Sequence, residues 1–219
     1  MLRGVKIDYI DTLTDFGLAV LADIKIETPK LKTNYINVPG ANGALNLSNY
    51  PQGRPTFEMR HITFTLFKGV DDLSLWASYK ELLVRFHGRE VTVKLPTDNY
   101  AYEYKGVIQF GDVTGFNSGK ITADLYADPV KYQDIERTID VSDGEAHKML
   151  LTNFGTESFL TVSSDGDVLV ADENEEQIYV SMSAVTDHVI DTYPIPFGRS
   201  LIYVAGEGNV TVKYKEVTL

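Results

Sequence analysis

The chain has 219 residues, enough for one large or two modest domains, and its 43% apolar and 23% charged content is that of a folded globular protein rather than a disordered one. It contains no cysteine, which excludes disulfides, thiolate metal sites and cysteine nucleophiles. The net charge of −11 is one-sided: residues 1–131 hold 15 basic and 15 acidic side chains, residues 132–219 hold 5 and 16, so there is no basic track for a phosphate backbone and nucleic acid is disfavoured as a partner.

No uncharged apolar run approaches the ~18 residues that a membrane span needs. The opening Met1–Asp8 moves directly into alternation instead of an apolar leader, so synthesis and folding in a cytoplasm are expected. Arg3–Ile10 alternates with period two and reads as a strand, followed by Phe16–Val20 and Ile24–Ile26 in the same style. Val38-Pro39-Gly40-Ala41-Asn42-Gly43-Ala44 predicts a tight, shaped loop, because Pro39 fixes its own φ while Gly40 and Gly43 permit positive φ. A second loop, Asn49–Pro55, leads into the clearest strand. There Phe57 and Met59 share one parity and Ile62, Phe64 and Leu66 the other, which predicts a bulge or bend near Arg60-His61.

Asp71–Gly88 has a helical period instead. Leu75, Trp76, Tyr79, Leu82, Leu83 and Phe86 fall on one stripe, Asp71 or Asp72 can cap the start, His87 stands where a cation is favoured, and Gly88 suits the left-handed position after the helix. One helix laid across a sheet follows. Val91–Leu95 and Tyr100–Tyr104 read as strands, the latter with three tyrosines on one face. Val107–Phe110 and Ile121–Ala127 read as a hairpin joined through Gly111–Gly119.

The shift to acidic composition sets a domain boundary near residue 132. Beyond it, short β-like stretches at Glu136–Val141, Phe159–Val162, Asp167–Ala171, Gln177–Met182, Leu201–Val204 and Val210–Tyr214 predict a small antiparallel sandwich. The expected fold is all-β: an N-terminal β-sandwich-like domain with one helix over 1–131, then a small β-sandwich over 132–219.

Residues that could carry chemistry are few. His61, His87, His147 and His188 lie at least 26 residues apart with no third ligand at a metal spacing. Asp165-Gly166-Asp167 and Asp172–Glu176 lack the twelve-residue calcium-loop pattern and read as charged hairpin tips. Gly40, Gly43 and Gly53 are not in nucleotide-loop spacing, and no G-x-S-x-G elbow occurs. No catalytic, cofactor-binding or metal-binding residue is expected, no cofactor is assigned, and the chain is not read as an enzyme. Tyr100, Tyr102 and Tyr104 suit internal packing or a subunit interface ahead of sugar stacking.

Several segments together resemble the distal tail protein (Dit) family of long-tailed phages. They are Asp15–Leu18, Val38–Gly43, Arg60–Phe67 leading to Trp76, Phe86–Arg89, Pro96–Tyr102, Ala127–Lys131 and, in the second region, Pro194–Ser200. The resemblance implies a structural virion protein of the distal tail and baseplate. Its N-terminal domain would form a hexameric ring, from which a galectin-like sandwich projects. Implied partners are other copies of the chain, the tail tube protein, the tail-associated hub or lysin protein, and receptor-binding or other baseplate proteins. The second region is too compact for an inserted carbohydrate-binding module, and Ala41-Asn42 stands where the family often has a charged pair. A ring needs two complementary surfaces per copy, which suits the charge-balanced residues 1–131. The rival reading is a carbohydrate-binding β-sandwich contributing to attachment at the host cell wall.

Overall fold

The computed structural model describes residues 2–40, 42–48, 55–69, 72–114, 118–155 and 158–219. The chain divides into two compact units, residues 1–131 with Leu219, and Tyr132–Thr218. The change from balanced to acidic composition falls at the same place.

In the first unit the stretch expected as one strand turns back on itself. β1 (Lys6–Ile7) and β2 (Ile10–Asp11) form a hairpin about Asp8, whose φ of 54° is one that a short polar side chain tolerates. Asp11 Oδ1 then accepts from the amides of Leu13 and Thr14, capping a short helix, α1 (Thr12–Phe16), that Gly17 closes at φ 67°. The strand expected from Phe16 is therefore delayed to β3 (Ala19–Val20), and β4 (Lys25–Ile26) follows. β5 (Tyr35–Asn37) and β6 (Ala44–Asn46), not foreseen as strands, flank the shaped loop, in which Gly40 and Gly43 have φ of 83° and 96°. The loop at Asn49–Arg54 lies outside the described residues.

β7 (Arg60–Gly69) pairs without a break with β10 (Ser118–Ala127), from Arg60↔Ala127 to Gly69↔Ser118, so of the bulge or bend expected near Arg60-His61 no bulge interrupts this pairing. The change of parity lies just before the strand, where Phe57 makes an isolated bridge to Leu31 and Met59 is exposed. The irregular step instead falls opposite β9 (Tyr104–Thr114), between Ile121 and Ala123. With β8 (Glu90–Lys94), the sheet runs β2-β1-β8-β9-β10-β7-β3, with β4 also on β7.

The long helix, α2 (Asp72–Phe86), lays Leu75, Leu82 and Phe86 into this sheet's core against residues such as Phe64, Leu66, Phe110 and Ile121. Each large side chain so buried contributes about 1.5–3 kcal/mol. Gly88 has φ 72° and donates to Ile108 O, ending the helix as the sequence predicted. Trp76 does not belong to the buried stripe. It is 55% exposed and packs edge-on against Tyr79, because its position is one 100° step away from Leu75 and past the edge of the sheet contact. Asp71 lies outside the described residues.

Among the described residues the second unit has eight strands: β11 (Lys131–Asp140), β12 (His147–Asn153), β13 (Leu160–Ser164), β14 (Val168–Ala171), β15 (Gln177–Ser181), β16 (Val185–Ile190), β17 (Gly198–Gly206) and β18 (Asn209–Thr218). Their order is β15-β14-β17-β12-β18-β13-β16, with β11 also on β18. β18 pairs with β13 through Val210–Lys213 and meets β12 only at Val217↔Asn153, so one strand links two layers. Met149, Leu151, Val162, Ile202, Val204 and Val212 fill the space between them. β12 and β16 were not legible as strands. Outward Leu150 fills the polar parity of β12, and in β16 the polar run Thr186-Asp187-His188 breaks any alternation.

Candidate interaction surfaces

The histidines are held separately. His61 Nε2 lies 2.9 Å from Asp124 Oδ1, with Thr63 Oγ1 donating to the same oxygen and the Tyr126 ring stacked on the imidazole. His87 Nδ1 accepts from the Phe110 amide at 3.1 Å, which fixes that nitrogen as the unprotonated one and ties the helix end to β9. His147 pairs with Asp143, and exposed His188 stacks on Tyr179. Among the described residues no three His, Asp or Glu side chains gather where they could hold a metal ion. At the acidic turn Asp172, Oδ1 accepts from the amides of Asn174 and Glu176, so the carboxylate closes its own hairpin tip.

The three tyrosines do not share a strand face. Pro96–Asp98 forms a single 3-10 turn, and Asn99 and Tyr100 follow with φ of 55° and 62°, so β9 begins only at Tyr104. Tyr100 Oη donates to Gly4 O, Tyr102 lies beneath Lys131 Nζ at 4.2 Å, and buried Tyr104 donates to Asp98 Oδ2 at 3.2 Å. Each of these contacts lies within the chain, in keeping with the internal-packing reading. Burial pushes the Asp98 carboxyl up, opposed by the Tyr104 hydroxyl, while burial and the nearby Asp98 charge push the Tyr104 phenol well up. Arg60, buried at the head of β7, completes the cluster. Its guanidinium lies over the Tyr104 ring and Nη2 donates to Pro129 O at 2.8 Å.

Among the described residues two surfaces stand out because they are apolar and exposed. The β5–β6 hairpin belongs to neither large sheet. Ile36 and Leu45 are directly opposed, and they and Val38 are all close to half exposed, with Tyr35 60% exposed on the other face. A two-stranded ribbon of this kind is marginal in water by itself. The other surface is the outer side of α2, with Trp76 and, two turns on, exposed Val84. Sequence reading missed the hairpin, although Ile36-Asn37-Val38 alternates and the Pro-Gly turn follows it.

The second unit offers a different kind of surface. Along β18 the valines and Tyr214 point inward, leaving Thr211, Lys213 and Lys215 outward. Partners flank each of them. Thr138 Oγ1 lies 2.9 Å from Thr211 Oγ1, Lys213 Nζ sits 2.9 Å from Asp187 and 3.8 Å from Glu136, and Lys215 Nζ is 3.8 Å from Asp134. The Asp187 hydrogen bond is the main cause holding the Lys213 ammonium above its usual range and the Asp187 carboxyl below it. The two lysines and the carboxylates of Asp134 and Glu136 edge a groove of about 360 Å³, with Phe159 and Thr161 across from them.

No family profile matches the chain, and no curated protein does. Among solved structures it is similar to the Dit protein of phage SPP1, described as a paradigm of the hub adsorption apparatus in phages that infect Gram-positive hosts. The match has a TM-score of 0.59 and 14% sequence identity, and it covers 99% of each chain. The chain has the Dit fold. The correspondence extends over both units and agrees with the all-β architecture expected from the sequence. The resemblance read from the scattered segments thus holds at the level of fold, where 14% identity left little for a residue-by-residue comparison to find.

Proposed function

We propose that the chain is a non-enzymatic structural protein of a phage tail tip, copies of which close into a ring, six by the family resemblance. The ring would connect the tail tube to the baseplate hub and to receptor-binding components, with the virion's distal tail as its final location. The observation that carries this reading is the β5–β6 hairpin, whose Ile36–Leu45 pair is exposed in a single chain. A ring of identical copies needs two unlike surfaces that fit each other. The hairpin supplies one apolar surface, and the outer side of α2, with Trp76, supplies a second of the residue type enriched at binding hot spots. The Dit fold over the whole chain supports the same reading.

Charge supports it as well. The first unit carries no net charge, so copies can pack closely, whereas the acidic second unit suits a solvent-facing periphery. The test is the solution mass of the full chain against that of Ile36→Asp/Leu45→Asp. Loss of assembly with an unchanged melting temperature supports the reading, and a mass indifferent to the substitutions opposes it.

A further inference from the structure

We propose that the groove on the outer face of β11, β18 and β13 binds a neutral, hydroxyl-rich chain, a polysaccharide. Three observations carry this. The groove measures about 360 Å³, within the range of small-ligand sites, is open to solvent, and is lined by residues of β11, β18 and the start of β13. Its polar groups come as matched donors and acceptors. Lys213 with Glu136, and Lys215 with Asp134, each stand 3.8 Å apart, in charge contact but beyond direct hydrogen-bond length. A hydroxyl between them can accept from the ammonium and donate to the carboxylate at once, which an apolar group, an anion or a bare cation cannot do. Thr161 adds another hydroxyl and the Phe159 side chain an apolar platform, the combination that suits the two sides of a sugar ring.

The electrostatics select for neutrality. Lys213 and Lys215 are two of only five basic residues in a region holding 16 acidic ones. Three carboxylates, of Asp134, Glu136 and Asp187, face these two ammonium groups within 4 Å. An anionic polymer meets a net repulsive surface there, and a cation meets the lysines. The exposure of Asp134 and Glu136, 76% and 66% of their side chains, leaves both within reach of a ligand.

The test is a titration of the isotope-labelled full chain with cellohexaose, an N-acetylglucosamine hexamer and a glycerol phosphate oligomer, followed by backbone amide shifts. The expected result is shifts at Thr161, Lys213 and Lys215 with at least one neutral saccharide at about 10 mM or below, in the affinity range of an open polar site. Lys215→Met, which keeps the apolar stem, and Phe159→Leu, which keeps apolar bulk, should each weaken that binding about tenfold, or about 1.4 kcal/mol, with melting temperatures unchanged. The proposal is overturned if neither saccharide shifts these amides, if both variants bind as tightly as the parent, or if the glycerol phosphate oligomer binds more tightly than both saccharides. The readout lies in the second unit, so it stands apart from whether the chain forms a ring.

Discussion

Gly119 on β10 and Leu75 on α2 fit each other so closely that a Cβ on the glycine would lie 1.5 Å from Leu75 Cδ2. The missing side chain is what allows the helix to settle on the sheet. Gly119→Ala must push Leu75 out of a fully packed site, and overpacking of this kind costs about 1–3 kcal/mol. Combining it with Leu75→Ala should recover part of the loss, so the two changes should be clearly non-additive in a urea-unfolding cycle. Additive losses would show that the helix does not rest there.

Arg60 ties the head of β7 to the end of the first unit through Pro129 O, across 69 residues of sequence. Its Nε is buried with no hydrogen-bond partner among the described residues, so the side chain carries a cost as well as a bond. Arg60→Ala leaves a hole and a bare carbonyl, and should cost about 2–4 kcal/mol. Arg60→Met fills the hole and removes the orphaned Nε, so it should cost less than half as much. Chemical denaturation of both variants checks the order.

Tyr104 should make stability fall in alkali. Its phenol is raised above the ordinary value of 10 first by burial and then by the Asp98 charge, so the fold favours the neutral form. That contribution is fully present below pH 10 and is lost as pH rises through the folded value. Tyr104→Phe should therefore be less stable than the parent at pH 7, having lost the bond to Asp98, yet decline less steeply above pH 10. Unfolding curves at pH 7, 9 and 10.5 would show whether the two lines converge.

Asp98 works in the opposite range. Burial raises it above the ordinary 3.8, so its charge opposes folding at neutral pH, and the fold gains relative stability as pH falls through the raised value. Asp98→Asn keeps an acceptor for Tyr104 without the charge. The variant should equal or exceed the parent at pH 7, and lose that advantage below about pH 4, where both side chains are neutral. Paired melts at the two pH values decide it.

What could be read in the sequence follows from which signals are local. The helix announced itself because Leu75, Leu82 and Phe86 repeat at 3.6, and Gly88 could be placed because a left-handed residue after a helix favours glycine. Trp76 misled because the stripe is set by how much of the helix the sheet reaches, a tertiary fact. Tyr100–Tyr104 alternates like a strand, but Pro96 and the positive φ of Asn99 and Tyr100 wind it into turns. The β5–β6 hairpin was hidden because, among the described residues, its apolar side chains join neither core cluster. The β18 ladder was legible in parity, since Val210, Val212 and Tyr214 alternate with Thr211, Lys213 and Lys215. Its partners on β11 and β16 were not, because they lie more than 20 residues away in sequence.

The hairpin predicts a specific failure. Ile36→Asp with Leu45→Asp places two charges on a face that a neighbouring copy would have to bury, and uncompensated buried charge is strongly unfavourable. Both side chains are about half exposed in the single chain, so the melting temperature of a dilute sample should barely move while assembly is lost. Analytical ultracentrifugation of the parent and variant separates the two effects.

Negative-stain imaging of the purified full chain, with its mass measured on the same sample, bears most directly on the structural reading. Six-fold rings of six times the 24.4 kDa chain mass are the expected result. A strict monomer up to about 1 mM, where even a contact of about 4 kcal/mol would show, would contradict it.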